Sequence, residues 1–375
     1  MKILYCIRSL YNSGGMERVM VNKANWFVAH GYQVTIATTD QLDRPIFYPL
    51  DDRVKCVDLA VNYALNSKRP IWKKLWYFFY NRYLHKRRLR TLLQVERPDI
   101  IDSWIGNETT FLPRIKGDAA LIAECHFCHY TFVECLRKGL YGWIDRQNVK
   151  LMKQALAHYD RFVVLTKQDQ EAWRMSNVAV IPNARTFKPG PLPDYAEKRV
   201  VAVGRLSAQK GYDRLVEIWR RVAAQCPDWM LEIYGGGPDL DKLNQQIADC
   251  SLQNRVRIHQ PTSDIKSVYK QSSILVLTSR YEGLPMVLLE AQASGLPVVA
   301  FDCQCGPRDI IENRQSGFLV PQNDVVTFSE CLITLMESQK LREKFGKRAR
   351  IASENYSEEN VMQQWVDLFV QLGKN

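Results

Sequence analysis

The sequence predicts an α/β protein built from two Rossmann-like halves, each a parallel sheet flanked by helices. Three patterns carry that expectation. Short apolar runs alternate with longer amphipathic stretches through most of the chain, which is the order of repeated βα units. The chain opens on one complete unit, with strand, glycine-containing loop, helix and strand inside its first 38 residues. A Pro-rich run, Pro189-Gly190-Pro191-Leu192-Pro193, then breaks the alternation near the middle, where a linker is expected. A length of 375 residues agrees with two domains at about 100–200 residues each.

In the first half, Lys2–Arg8 reads as a compact apolar strand. Asn12-Ser13-Gly14-Gly15 follows, then a helix from about Met16 to His30, which Gly31 stops, and a strand at Gln33–Thr38. Asp99–Ser103 and Ala119–Glu124 read as two further strands. Asp145–Tyr159 reads as a helix, Arg161–Leu165 as a strand, Lys167–Met175 as a helix and Val178–Ile181 as the last strand before the linker. Gly14-Gly15 at a helix start lets backbone approach a ligand, although a simple tight turn fits equally. The full G-x-G-x-x-G pattern is absent there, which counts against a nicotinamide enzyme.

The second half repeats the alternation. Arg199–Val203 is a strand, and Lys210-Gly211 opens a helix running to about Cys226. Met230–Tyr234 runs into Gly235-Gly236-Gly237. A helix at Asp239–Cys250, a strand at Val256–Gln260 and a short helix at Ile265–Gln271 follow. Ile274–Leu277 reads as a buried strand. After it come the loop Tyr281-Glu282-Gly283-Leu284, a helix from Pro285 to about Ser294, the strand Pro297–Phe301 and another helix at Gly306-Pro307. From Val325 the pattern is helical. A break at Tyr356-Ser357 precedes a last helix, Glu358–Leu372, with Val361, Trp365, Leu368 and Phe369 on one face.

Composition narrows the class. The chain is 46% hydrophobic and 24% charged, with 51 Lys and Arg against 40 Asp and Glu, a formal net charge of +11. A basic surface prefers anionic partners: phosphate groups, nucleic acid or an acidic membrane leaflet. Ten cysteines at this length are too dilute for a disulfide scaffold, no apolar run reaches the roughly 18 residues of a membrane span, and the N-terminus reads as a strand. A cytoplasmic protein with reduced thiols is expected. Cys125, Cys128, Cys135, His126 and His129 lie close enough in sequence to raise zinc, but no second ligand pair accompanies them, and no metal site is expected.

Lys68 to Arg97 stands apart. It reads as one long helix after Pro70, without an acidic residue until Glu96, in which Lys73, Lys74, Arg82, Lys86, Arg87, Arg88 and Arg90 alternate with Trp72, Trp76, Tyr77, Phe78, Phe79, Tyr80 and Tyr83. Two readings fit: a helix lying on an anionic membrane through residues 68–90, peripheral at the inner face of the plasma membrane, or an ordinary helix with its aromatics packed inward. No nucleic-acid-binding signature accompanies it, and no nucleic acid is expected.

The chemistry concentrates in Ser279–Glu312. Glu282 precedes a helix start whose amides, from Met286 and Val287, form an anion site, and Glu290 lies two turns along that helix. On spacing alone Arg205 and Lys210 read as a solvated surface pair, although one can act on a phosphate as a fork and the other as a point charge. Two carboxylates also fit a glycosidase, but an uncharged glycoside needs no cationic clamp.

Glu282 and Glu290, separated by seven residues and with Gly283-Leu284-Pro285 after the first, resemble the signature of the retaining glycosyltransferases of family 4. The neighbouring segments match in order. Val203-Gly204-Arg205-Leu206-Ser207 with Lys210-Gly211 resembles the family's diphosphate-binding segment, Tyr234-Gly235-Gly236-Gly237-Pro238 its glycine-rich turn, and Gly14-Gly15-Met16-Glu17 its N-terminal loop. The resemblance spans essentially the whole chain.

It implies the GT-B fold. Residues 1–187 would form an acceptor-binding domain, 188–355 a nucleotide-sugar-binding domain, and 356–375 a helix crossing back to the first. It also implies metal-independent transfer, with no cofactor, of a hexose or N-acetylhexosamine from a nucleotide sugar, UDP-linked, to a saccharide or lipid-linked saccharide in cell-surface polysaccharide biosynthesis. Under it, Glu290 takes the ribose diol, Glu282 the sugar hydroxyls with His126 opposite, and Arg205 and Lys210 the diphosphate. Gly15, Gly283, Leu284, Met286 and Val287 complete the donor contacts. Two alternatives stay open: a sugar-nucleotide epimerase of the same fold, and a non-catalytic protein that binds nucleotide sugar or docks on a membrane.

Overall fold

The computed structural model describes residues 1–68 and 70–373. Residues 69, 374 and 375, which fall in the expected membrane segment and the expected C-terminal helix region, lie outside the described residues. The chain divides into two compact units.

The first unit holds Met1–Leu165, Asp169–Ile181 and Met362–Asn375. Its strands are β1 (Lys2–Ile7), β2 (Gln33–Thr38), β3 (Lys55–Asp58), β4 (Ile100–Ser103), β5 (Ala120–Cys125), β6 (Arg161–Val164) and β7 (Val178–Val180). They form one sheet in the order β3-β2-β1-β4-β5-β6-β7, and every pairing is parallel. Helix Gly15–Ala29 follows β1, and helix Ile71–Glu96 carries the chain from β3 across to β4. On one face of the sheet, Leu4, Ile101, Leu121 and Phe162 pack with Leu89, Leu92, Leu93, Leu156 and Trp173. The last helix, Glu358–Leu372, buries Trp365 and Phe369, and Phe369 stacks on Phe27 at 5.2 Å.

The second unit holds Thr166–Gln168 and Pro182–Val361. Its strands are β8 (Arg199–Val203), β9 (Met230–Tyr234), β10 (Val256–His259), β11 (Ile274–Leu277), β12 (Val298–Phe301) and β13 (Gly317–Val320). Their order is β10-β9-β8-β11-β12-β13, again all parallel. Val200, Ala202, Ile233 and Val276 face Leu215, Trp219 and Phe328 in its core.

The division falls at Ile181–Pro182, before the expected linker. Residues 183–188 are bound within the second unit: the amide of Arg185 donates to the Tyr356 carbonyl at 2.7 Å, and its guanidinium reaches Glu354 at 2.8 Å. The Pro-rich run also packs there, with Leu192 and Pro193 against Gly295 and the Tyr195 hydroxyl donating to the Gly295 carbonyl at 2.8 Å.

Two short strands escape the apolar pattern. β3 is an edge strand with exposed Lys55, Cys56 and Asp58, and β13 begins at Gly317. The helix expected from Asp145 starts six residues earlier, as Gly139–Leu156. Gly142 is buried so tightly that a Cβ there would stand 2.0 Å from the Arg137 carbonyl oxygen.

Candidate active site

In each sheet the strand order reverses once, between β1 and β4 and between β8 and β11, and ligands of open α/β sheets bind outside the carboxyl ends of the strands at such points. The second unit's candidate residues leave those ends. Lys210 closes the turn Ala208–Lys210 after β8. Glu282 lies in the loop after β11, and helix Met286–Ala293 follows it.

The structure brings Lys210 and Glu282 together. Lys210 Nζ donates to Glu282 Oε1 at 2.7 Å, and Ser279 Oγ donates to the same oxygen at 2.5 Å. The Glu282 amide donates to the Gln304 carbonyl at 2.9 Å, which fixes the loop on the segment after β12. Glu282 is 5% exposed. Burial, then the Glu282 charge, pushes the Cys303 thiol and the Tyr212 hydroxyl up from their ordinary ranges. The sequence reading gives Lys210 to a diphosphate and Glu282 to a sugar; in the structure they are one ion pair. An ammonium has three donors, so Lys210 keeps capacity for a phosphate oxygen.

Glu290 is buried and already holds two hydroxyls. Thr186 Oγ1 donates to Oε1 at 2.8 Å and the Tyr269 hydroxyl to Oε2 at 2.9 Å. Burial, then the Glu290 charge, raises the Tyr269 phenol well above its usual range. A carboxylate offers about four lone-pair positions, so Glu290 retains acceptor capacity while both donors fix its plane.

Arg205 is exposed, and its guanidinium makes no hydrogen bond or ion pair among the described residues. Its loop is set by the glycine-rich turn. The Leu206 amide donates to the Gly236 carbonyl at 3.0 Å. A Cβ at Gly235 would lie 1.9 Å from the Gly204 oxygen, and one at Gly237 2.2 Å from the Leu206 oxygen, so only glycine lets the two loops touch. Gly283, Met286 and Val287 are half-buried and Leu284 is buried. The helix start at Pro285 has no side-chain cap, which leaves its first-turn amides available to an anion.

Sequence reasoning missed Arg280. Its amide donates to the Gln209 carbonyl at 2.7 Å, and its guanidinium grips Asp213 at 2.7 and 3.0 Å, tying the two active loops together. Burial would raise the Asp213 carboxyl, but Arg280 holds it below the ordinary value. Thr186, Ser279 and Tyr269 were missed too, because single hydroxyls carry no periodic signal.

Gly15 and His126 belong to the first unit. Gly15 begins its helix with open space around its Cα. At the β1/β4 reversal lies a cavity of about 430 Å³ lined by Arg8, Asn12, Glu17, Trp104, Asn107 and Phe127 among others. A larger one, about 970 Å³, sits at the opposite edge of the sheet against Arg97, Lys116 and Asp160, away from every candidate residue of this unit.

His126 stacks on Trp104 with centroids 4.0 Å apart. Its Nε2 lies 3.0 Å from Glu124 Oε1 but off the hydrogen-bonding direction. Beneath it is a buried charge cluster with no signal in the sequence. Lys23 Nζ contacts Glu124 Oε2 at 2.6 Å and Asp102 Oδ2 at 2.9 Å, and it lies 3.1 Å from the centre of the Trp365 ring. Burial raises the Asp102 carboxyl well above its usual range despite Lys23. Burial acts on Glu124 too, but Lys23 and His126 outweigh it and hold that carboxyl at about 2. Glu124 is therefore the carboxylate that balances Lys23. Cys125 and Cys128 are buried and Cys135 is exposed, and among the described residues no group of three ligating side chains is placed for a metal ion.

Two parallel-sheet Rossmann-like units, with a cation, a buried carboxylate and glycine-built loops at a strand-order reversal, define a GT-B glycosyltransferase. The comparisons with known proteins give the family. The profile for glycosyl transferases group 1 matches residues 184–352, and that for glycosyltransferase family 4 matches residues 13–185. The chain is 30% identical over 378 residues to the amylovoran biosynthesis glycosyltransferase AmsD of Erwinia amylovora, covering 98% of this chain and 99% of that one. It is 29% identical over 371 residues to an uncharacterized glycosyltransferase of Haemophilus influenzae, covering 97% and 98%. In structure it matches Anabaena HepE in complex with UDP, with a TM-score of 0.76 at 18% identity over 99% and 100% of the two chains. The chain belongs to glycosyltransferase family 4, and it is a glycosyltransferase.

Proposed function

We propose that this enzyme transfers a hexose or N-acetylhexosamine from a UDP-sugar to a saccharide acceptor, with retention and without a metal ion, in cell-surface polysaccharide biosynthesis. The observation that carries the donor reading is the Lys210–Glu282 pair at the β8/β11 reversal, beside the exposed Arg205. As the glycosidic bond breaks, charge grows on the diphosphate. Arg205, the remaining donors of Lys210 and the amides of Met286 and Val287 are cationic or dipolar groups suited to that charge, and such stabilisation is often the largest catalytic term. Glu290 takes the ribose diol, and Glu282 takes hydroxyls of the transferred sugar. UDP fits the structural likeness to a UDP-bound protein, and polysaccharide synthesis fits the relative named for amylovoran.

The acceptor is a lipid-linked saccharide met at the inner face of the plasma membrane. No helix among the described residues is long and apolar enough to cross a membrane. The basic aromatic helix would instead lie on the surface, since Trp72, Trp76, Phe79 and Tyr83 are exposed rather than packed inward. The β1/β4 cavity is the acceptor pocket.

Thermal shift against nucleoside diphosphates and sugar nucleotides, with and without EDTA, tests the donor site. A ligand at a hundredfold excess over its dissociation constant adds about 2.7 kcal/mol. The expected result is a shift with UDP or a UDP-sugar that persists in EDTA and is lost in Glu290→Ala. No shift with any nucleotide would overturn the donor reading. Conversion of a nucleotide sugar without acceptor would make the enzyme an epimerase.

A further inference from the structure

Two helices of the first unit carry exposed apolar stripes. On helix Ile71–Glu96, Trp72, Trp76, Phe79 and Tyr83 recur at helical spacing, and each is more than half exposed, Trp72 by 72%. On helix Gly139–Leu156, Leu140, Ile144 and Leu151 share one stripe with Trp143 beside them, and within that helix only Gly142 and Leu156 are buried. A soluble surface scatters such residues singly; contiguous stripes mark an interaction face.

Topology brings the two stripes to one edge. Both helices cross over into parallel strands, β4 and β6, and both pack on the same sheet face, through Leu89, Leu92 and Leu93 of the first and Leu156 of the second. A crossover helix runs antiparallel to the strands it joins, so both N-terminal halves lie at the carboxyl edge. The first helix has 26 residues, so it is about 39 Å long and its opening turns extend past strands of four to six residues. The second is pinned at its start, where Arg137 holds Asp145 at 2.6 Å and Gly142 packs on the Arg137 carbonyl.

Charge identifies the partner. The first helix has no acidic residue before Glu96, and the second also carries Arg146, Lys150 and Lys153, its one acid being the paired Asp145. Aromatic and aliphatic side chains flanked by cations match the interface of an anionic bilayer. We infer that Gly139–Leu156 is a second membrane-inserting element, and that it and residues 71–90 seat the carboxyl edge of the first unit on an anionic lipid surface. This rests on the membrane reading of the basic aromatic helix and adds Leu140 and Trp143 as the inserting side chains. The β1/β4 cavity opens at the same edge, formed by loops after β1, β4 and β5, so a lipid-linked acceptor would enter it from the bilayer.

Co-sedimentation of the full chain with vesicles of phosphatidylglycerol and phosphatidylcholine, and of phosphatidylcholine alone, tests this. The expected result is binding to the anionic vesicles, reduced about tenfold or more in Leu140→Ser/Trp143→Ser, with circular dichroism and the UDP thermal shift unchanged. Lys73→Gln/Arg87→Gln/Arg90→Gln is the second arm. Weakened binding in that variant with none lost in Leu140→Ser/Trp143→Ser would overturn the inference and leave the first helix as the membrane element. No binding by the unaltered protein would overturn both. Loss of a homodimer in Leu140→Ser/Trp143→Ser without lipid, with vesicle binding intact, would make the stripe a self-association face.

Discussion

Lys210 and Glu282, 72 positions apart in the chain, meet at 2.7 Å across the β8/β11 reversal. Neither charge is there for its own sake: Glu282 is buried, and Lys210 is its cationic partner. Lys210→Ala should therefore do two things. Under the proposed donor reading it removes a donor to the leaving diphosphate, which should lower kcat by roughly 10²–10³-fold. It also leaves a buried carboxylate that keeps its hydrogen bond from Ser279 but has lost its cation, at a cost of about 3–5 kcal/mol. Adding Glu282→Gln to that variant should restore much of the stability and none of the activity. Urea unfolding of the unaltered protein and the two variants checks this. Equal stability of Lys210→Ala and the double variant would mean that the pair is not electrostatically linked.

Glu290 gives a second test, because its two hydroxyl donors lie outside the motif that flagged it. Tyr269→Phe removes the 2.9 Å hydrogen bond to Oε2 without changing shape in a fully buried site. Stability should fall by about 1–3 kcal/mol, and UDP should bind more weakly because the carboxylate is held less firmly. Thr186→Val should act the same way through Oε1, 2.8 Å from Thr186 Oγ1. UDP affinity unchanged in both variants, by calorimetry, would separate Glu290 from the nucleotide.

Why the sequence shows some of this and hides the rest follows from range. β2, β8, β9 and β11 have their expected bounds because each is a short apolar run closed by turn residues. The glutamate pair and the glycine-rich turn are legible because their spacing is local. The Lys23–Asp102–Glu124 cluster is not, since its members are 79 and 101 positions apart and each alone reads as a solvated charge. The same holds for Arg280 with Asp213. The division at Ile181–Pro182 is not legible in the sequence because proline content signals a stiff chain, and only tertiary contacts decide whether a stiff segment packs. The aromatic helix left two readings because periodicity shows a stripe and does not show which side of it is solvent.

His85, on the aromatic helix, makes the fold acid-sensitive. It is buried, with its Nδ1 3.1 Å from the Tyr63 hydroxyl and its ring edge-on to Phe111. Burial, and then the Arg82 charge, lowers its pKa to about 4. In the unfolded chain the value is about 6.5. Between those values the unfolded chain takes up a proton that the folded protein refuses. The stability contributed by neutral His85 is thus complete above pH 6.5 and is lost as pH falls towards 4, by about 3 kcal/mol in all. His85→Gln keeps a hydrogen-bonding group near Tyr63 and removes the titration. Carboxylates and the other histidines titrate alike in both proteins and cancel in the difference. Urea unfolding at pH 7.0 and pH 4.5 should therefore show the unaltered protein losing more stability than His85→Gln. Equal losses would mean that His85 is protonated in the folded state, and that the interior beneath the aromatic helix admits charge.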